Sequence, residues 1–173
     1  KKNMWDRFYR ELFFLIIITG PLVLITYYQL YKSKLASQSW AGLSQKSVKI
    51  TWFISMALTV ISWIYITTRW IFDETLESNK NVFLSYVFFM SGALLWTPFT
   101  IISLHRKTRL ATVWLALYLT AAGSISLLIQ AAITSDIAMI FASAISAIHH
   151  LLLDAIYWWG TWKVDTKKNA LEF

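Results

Sequence analysis

Three ionisable side chains fall inside one apolar run near the C-terminal end of the chain. The run reads "SAISAIHHLLLDAIYWWGTWK" over 143–163, and it contains His149, His150 and Asp154. A charged group in the hydrocarbon of a bilayer costs at least a few kcal/mol, so such residues usually face protein or water and have partners. This segment is therefore the first candidate for chemistry.

The spacing of these residues predicts a pair. In an α-helix His150 and Asp154 lie one turn apart, where they can hydrogen-bond or bracket one ligand, while His149 points about 100° away. Three interpretations stay open: the residues fix helix packing, they relay protons or ions, or His149 or His150 is the axial ligand of haem or chlorophyll. No metal-ion site is predicted, because His-x-x-x-Asp on one helix lacks the three or four ligands that a good site needs.

His105 is the remaining histidine and a further buried-relay candidate. It ends an apolar run on the side toward which Asp154 lies, so a contact between them is allowed by the geometry. It also begins a basic cluster with Arg106, Lys107 and Arg109, which is typical of residues near anionic lipid headgroups.

The elements that position these residues are five apolar runs. The chain is 57% apolar and only 14% charged, against about 25% charged in soluble domains. Each run is long enough, at about 1.5 Å per residue, to cross a hydrocarbon core of about 30 Å as a helix. We predict an all-α integral membrane protein with five transmembrane helices in one bundle (12–162), or four if the first run re-enters. The predicted spans are 12–31, 50–72, 82–104, 110–133 and 137–160.

The two ends of the chain differ from the bundle. Residues 1–11 place Met4, Trp5 and Phe8 at helical spacing opposite charged residues, which predicts a short amphipathic helix in the headgroup plane. The alternative is a simple extension of the first span. Residues 163–173 form a basic tail.

Small and hydroxyl-bearing residues recur along three of the runs. Such stripes favour close helix contact. Prolines at Pro21 and Pro98 each remove a backbone hydrogen bond and predict a kink. The predicted packing residues are Ala138, Ala142, Ser146, Ser55, Thr59, Thr120 and Gly123.

The charge distribution bears on partners and orientation. The net charge is +7, and the basic residues sit at the ends of apolar runs, where lipid headgroups explain them better than nucleic acid does. We expect the bilayer, other membrane-protein subunits or self-association, and no nucleic acid. The excess of Lys and Arg places the C-terminus on the cytoplasm-like side.

The sequence contains none of the catalytic motifs that we sought, such as a Gly-rich phosphate loop or His-Glu-x-x-His, and it has no cysteine. We therefore predict a non-enzymatic accessory or assembly component of a larger membrane complex. The alternatives are a proton- or ion-conducting bundle or carrier built around His150 and Asp154, and a haem- or pigment-binding subunit.

Overall fold

The computed structural model describes residues 2–32, 43, 46–73, 76, 80–107 and 110–162, and for residues 2–9 the backbone alone. Every regular element in this part of the chain is helical, and five helices are long and apolar enough to cross a membrane, which confirms the predicted all-helical architecture and the number of long apolar helices. Their insertion in a bilayer stays a prediction. Arg109 and the basic tail at 163–173 lie outside the described residues. The helices are α1 (Lys2–Lys32), α2 (Lys46–Phe72), α3 (Lys80–His105), α4 (Ala111–Thr134) and α5 (Ile137–Thr161).

α1 is one continuous helix that begins at Lys2 and passes through Pro21 without ending. Residues 2–11 are therefore continuous with the first span. Their location in the headgroup plane stays a prediction, because the side chains that would define the amphipathic face are outside the description.

α5 changes its helical form along its length. It is α-helical over Ile137–Ile148 and π-helical over His149–Trp158, and it ends in a short α-helical turn. Its start is fixed by the Asp136 carboxylate, which accepts hydrogen bonds from the two backbone N–H groups of Ala138 and Met139. π-helical turns are rare and occur frequently at functional sites.

The five helices form an incomplete ring. α1 packs on α3, α3 on α4, α4 on α5, and α5 on α2, whereas α1 and α2 touch only slightly. Consecutive helices α1 and α2 are therefore the two edges of an opening in the ring. The other neighbouring pairs in the ring pack against each other.

The α3–α4 interface is the closest in the ring. A Cβ atom added at Gly123 would lie 2.5 Å from the backbone nitrogen of Phe89 in α3. A Cβ atom added at Gly92 would clash with Thr120 and with the Ala116 carbonyl group in α4. Two glycines thus bring these helices into backbone contact, as small residues do between membrane helices.

The other predicted packing residues are divided. Ser55 is half-buried. Ala138 is exposed, because it lies in the first turn of α5, where Met139 takes the buried position. The buried members are Ala142, Ser146, Thr59 and Thr120.

Candidate functional site

A cavity of about 610 Å³ occupies the centre of the ring and is lined by side chains from all five helices. This volume lies within the usual range of ligand sites, about 300–1,000 Å³. Its walls are mainly apolar and aromatic. Three lining residues carry an imidazole or a carboxyl group: His149, His150 and Asp154. All three belong to α5, so they share one wall of the cavity.

The cavity reaches the outer surface of the bundle between α1 and α2. Three residues that line it are also largely exposed: Leu24 is 71% exposed, Val60 51% and Ile64 55%. They belong to the two helices that touch least. A molecule can therefore enter sideways, through the face that lipid would cover.

Asp154 is held at the cavity wall by two contacts. Its Oδ1 accepts a hydrogen bond of 2.9 Å from the indole Nε1–H of Trp52 in α2. Its Oδ2 lies 3.5 Å from Nε2 of His149. A carboxylate offers about four lone-pair sites, so one short hydrogen bond and one long contact leave it with spare acceptor capacity.

The partner of Asp154 is thus His149, and the direct hydrogen bond with His150 that α-helical spacing predicts is not formed among the described residues. The cause is the π-helical section. In an α-helix, residues five apart point about 140° away from each other. In a π-helix the backbone hydrogen bonds join residues five apart, so positions 149 and 154 fall on one face.

Both ring nitrogens of His149 are engaged. Nδ1 lies 3.0 Å from the Ser55 hydroxyl, and Nε2 faces Asp154. The side chain is 2% exposed, and the Trp52 ring packs against it at 5.5 Å between centroids. His149 therefore links α2 to α5, with Nδ1 at the Ser55 hydroxyl and Nε2 directed at Asp154.

His150 is held differently. Its Nδ1 lies 2.8 Å from the Ser146 carbonyl oxygen and 3.0 Å from the Ser124 hydroxyl. A carbonyl oxygen only accepts, so Nδ1 carries the proton and, in the neutral ring, Nε2 carries a lone pair. This nitrogen has no protein partner among the described residues. Metal-bound histidines are commonly held in the same way, with one ring N–H donated to a carbonyl group. The Nε2 lone pair of His150 can also accept a hydrogen bond from a donor group of a bound molecule.

Aromatic rings of four helices line the cavity that contains Asp154. Trp52 donates to it, and Tyr27 of α1 is close enough to interact with it electrostatically. Trp96 of α3 contacts both Tyr27 and Trp158, with centroids 5.2 Å and 5.5 Å apart. We call Tyr27, Trp52, Trp96 and Trp158 the aromatic cage; all four line the cavity.

Two further polar groups belong to residues that line the cavity and are nine-tenths buried. Thr59 is 4% exposed and Trp96 is 6% exposed, and neither Oγ1 of the former nor Nε1 of the latter has a hydrogen-bond partner in the described part of the chain. Buried polar groups are nearly always paired. Thr59 is unlike Thr100 and Thr120, whose hydroxyls donate to their own helix backbones.

The remaining predicted residues lie elsewhere. His105 is exposed at the end of α3, beside Arg106 and Lys107, and is not a buried relay residue. Pro21 lines the cavity, whereas Pro98 is not among the residues that line it. No group of three or more His, Cys, Asp or Glu side chains in the described ranges is placed to hold a metal ion.

Tyr27 and Trp52 contribute to the site although the sequence does not single them out. Aromatic residues near helix ends are typical of the membrane–water interface. Their role here depends on which helices face each other, a property that hydropathy does not encode. No protein-family model, curated protein or solved structure matches this chain.

Proposed function

We propose that this protein is a small multi-pass membrane protein that binds an apolar molecule with one polar end. One observation carries the proposal: an apolar cavity of about 610 Å³ opens sideways between α1 and α2 and has its ionisable groups on one wall. Largely apolar pockets with a few convergent polar groups are the usual form of small-molecule sites.

The arrangement suggests how the molecule is oriented. Its polar end lies among His149, His150 and Asp154, and its apolar part fills the space toward the opening. Entry between α1 and α2 lets the molecule move from lipid into the cavity without passing through water. A carrier or a receptor for a lipid-soluble compound both fit this geometry.

The accessory-subunit hypothesis and the proton- or ion-conduction hypothesis have less support. The exposed apolar side chains of α1 suit acyl chains as well as partner helices, so they do not favour an accessory subunit over a binding protein. The contacts that join Ser55, His149, Asp154 and Trp52 lie on one side of the cavity. Proton or ion conduction requires a row of polar groups across the bundle, which these four residues alone do not supply.

Gly20 allows a direct test. It lines the cavity, and a Cβ atom added there meets nothing within 4 Å. In Gly20→Phe the new ring therefore occupies cavity space without a backbone clash. We expect the wild-type protein, purified in mild detergent, to retain an apolar molecule detectable by organic extraction and mass spectrometry, and Gly20→Phe to retain at least tenfold less.

Gly160→Phe is the matched control. Gly160 also has open space around its Cα and does not line the cavity, so this variant should retain as much of the molecule as wild type. Both variants should stay folded, since replacing a helical glycine does not weaken the helix. Equal retention by all three proteins contradicts the proposal.

A further inference from the structure

We propose that the molecule is a hydrophobic amine whose ammonium group pairs with Asp154 inside the aromatic cage. This inference rests on the proposed function and specifies the chemistry of the polar end. It follows from the charge, the hydrogen-bonding groups and the rings that line this part of the cavity.

The charge of the site calls for a cation. Among the described residues, Asp154 is the only acid that lines the cavity, and no Lys or Arg lines it. A buried ionised carboxylate is unfavourable unless it is paired and hydrogen-bonded. The Trp52 N–H group supplies one short hydrogen bond but no positive charge, and His149 approaches only to 3.5 Å. An ammonium group would add both a closer hydrogen bond and a positive charge.

The aromatic cage suits the same group. Cations bind over the faces of Trp and Tyr rings, and aromatic cages are a known means of recognising alkylated ammonium groups. Here three tryptophans and one tyrosine, from four different helices, line the same cavity as the carboxylate, and Trp52 donates a hydrogen bond to it. An anionic head group would meet the same rings and Asp154 unfavourably.

Three of the free hydrogen-bonding positions on residues that line the cavity can accept, and the others are the indole N–H donors of Trp63 and Trp96. Asp154 has spare acceptor capacity, and His150 presents the lone pair of Nε2 because its Nδ1 proton is committed to Ser146. The unpaired Thr59 hydroxyl can accept as well. Ammonium N–H groups match acceptors, whereas an ester or a ketone has no donor to offer.

The apolar part of the molecule has space beyond the cage. Ile16, Val23, Met90 and Leu117 line the rest of the cavity, and Leu24 lies at the opening. These walls contain no fixed charge. They therefore suit a hydrocarbon or aromatic body and do not select strongly among shapes.

Three probes of similar size test the inference. They are dimethyl(4-phenylbutyl)amine, its neutral carbon isostere (5-methylhexyl)benzene, and the neutral donor 5-phenylpentan-1-ol. Binding is followed by tryptophan fluorescence of the protein in lipid nanodiscs, and empty nanodiscs correct for partition into lipid. We expect the wild-type protein to bind the amine at least tenfold more tightly than the isostere, with the alcohol between them.

Asp154→Asn should abolish the preference for the amine and leave binding of the isostere unchanged. Glu11→Gln removes one negative charge away from the cavity and should keep the preference. Trp96→Leu keeps the carboxylate but removes one wall of the cage, so it should weaken amine binding severalfold. This variant tests the inference if the Asp154 variant does not fold. Trp114→Leu, outside the cavity, is its control.

The outcomes separate the two proposals. If none of the probes binds wild-type protein, the proposed function fails and the inference fails with it. If the isostere or the alcohol binds as tightly as the amine, or if Asp154→Asn keeps the preference, binding stands and the amine is wrong. A Soret or Qy band in the purified protein identifies a tetrapyrrole as the occupant and overturns the amine likewise.

Discussion

The α3–α4 side of the ring and the α1–α2 side contain the same kind of residue in opposite surroundings. Gly92 and Gly123 lie against the backbone of the neighbouring helix, whereas Gly20 faces a cavity with nothing within 4 Å of its missing side chain. A glycine in a membrane helix can therefore bring two helices together or leave room for a third molecule. The residue alone does not decide between them; the distance to the opposite helix does.

The largest effect is expected where the packing is closest. Gly123→Leu places a branched side chain against the backbone of Phe89 and Ser85. Overpacking of a filled site usually costs about 1–3 kcal/mol, and more where backbone must move. We expect loss of the monodisperse peak in size-exclusion chromatography, or a clearly lower unfolding temperature. Gly160→Leu should behave as wild type, and equal stability of both variants would mean that α3 and α4 are not in backbone contact.

A smaller effect is expected from a polar contact that joins α2 to α5 beside the opening. Trp52→Phe removes the indole donor from Asp154 and keeps an aromatic ring. Leaving a largely buried acceptor without its hydrogen bond costs about 1–3 kcal/mol, so thermal unfolding should shift downward, while Trp114→Phe should not. A double-mutant cycle with Asp154→Leu isolates the pair; additive effects would show that the two side chains do not interact.

The smallest effect is expected at the far end of α2. The Arg69 guanidinium lies 2.8 Å from both Asp73 and Asp136, but the Arg69 side chain is 35% exposed. Exposed ion pairs contribute about 0–1 kcal/mol. Arg69→Gln should therefore lower stability by less than Trp52→Phe does, measured in the same unfolding assay. A larger loss would show that this end, and not the cavity wall, holds α2 in the ring.

The existence and length of the helices could be read from the sequence. Spans predicted at 82–104 and 110–133 are observed as Lys80–His105 and Ala111–Thr134, because a bilayer requires long apolar runs whose backbone groups bond internally. The first helix begins earlier than the predicted span, since charged residues alone do not stop a helix.

The site could be predicted only in part. His149, His150 and Asp154 were identified because ionisable residues are rare in such a run, but their pairing was not. The α-helical spacing predicts a contact of Asp154 with His150, whereas in the π-helical section Asp154 contacts His149. A π-helical turn is an alternative winding that depends on tertiary packing, so local propensity does not reveal it.

The order of the helices around the ring also could not be predicted from the sequence. Hydropathy gives each helix but not its neighbours, and short connections only constrain consecutive helices to run antiparallel. That α1 packs on α3 and leaves α2 at a distance depends on side-chain fit. The cavity and the positions of Tyr27 and Trp52 beside it result from that tertiary arrangement. Local sequence does not determine them.

The ring order has a consequence for biosynthesis. Of the five helices, the two at the edges of the opening are made before the others, and α5, which carries both histidines and the carboxylate of the site, is made after them. Until α5 is made, α1 and α2 have few contacts with each other, so in a bilayer they would depend on their own hydrophobicity. A chain arrested before Ile137 should therefore insert its early helices yet hold no ligand, so that binding competence begins only once α5 has been added.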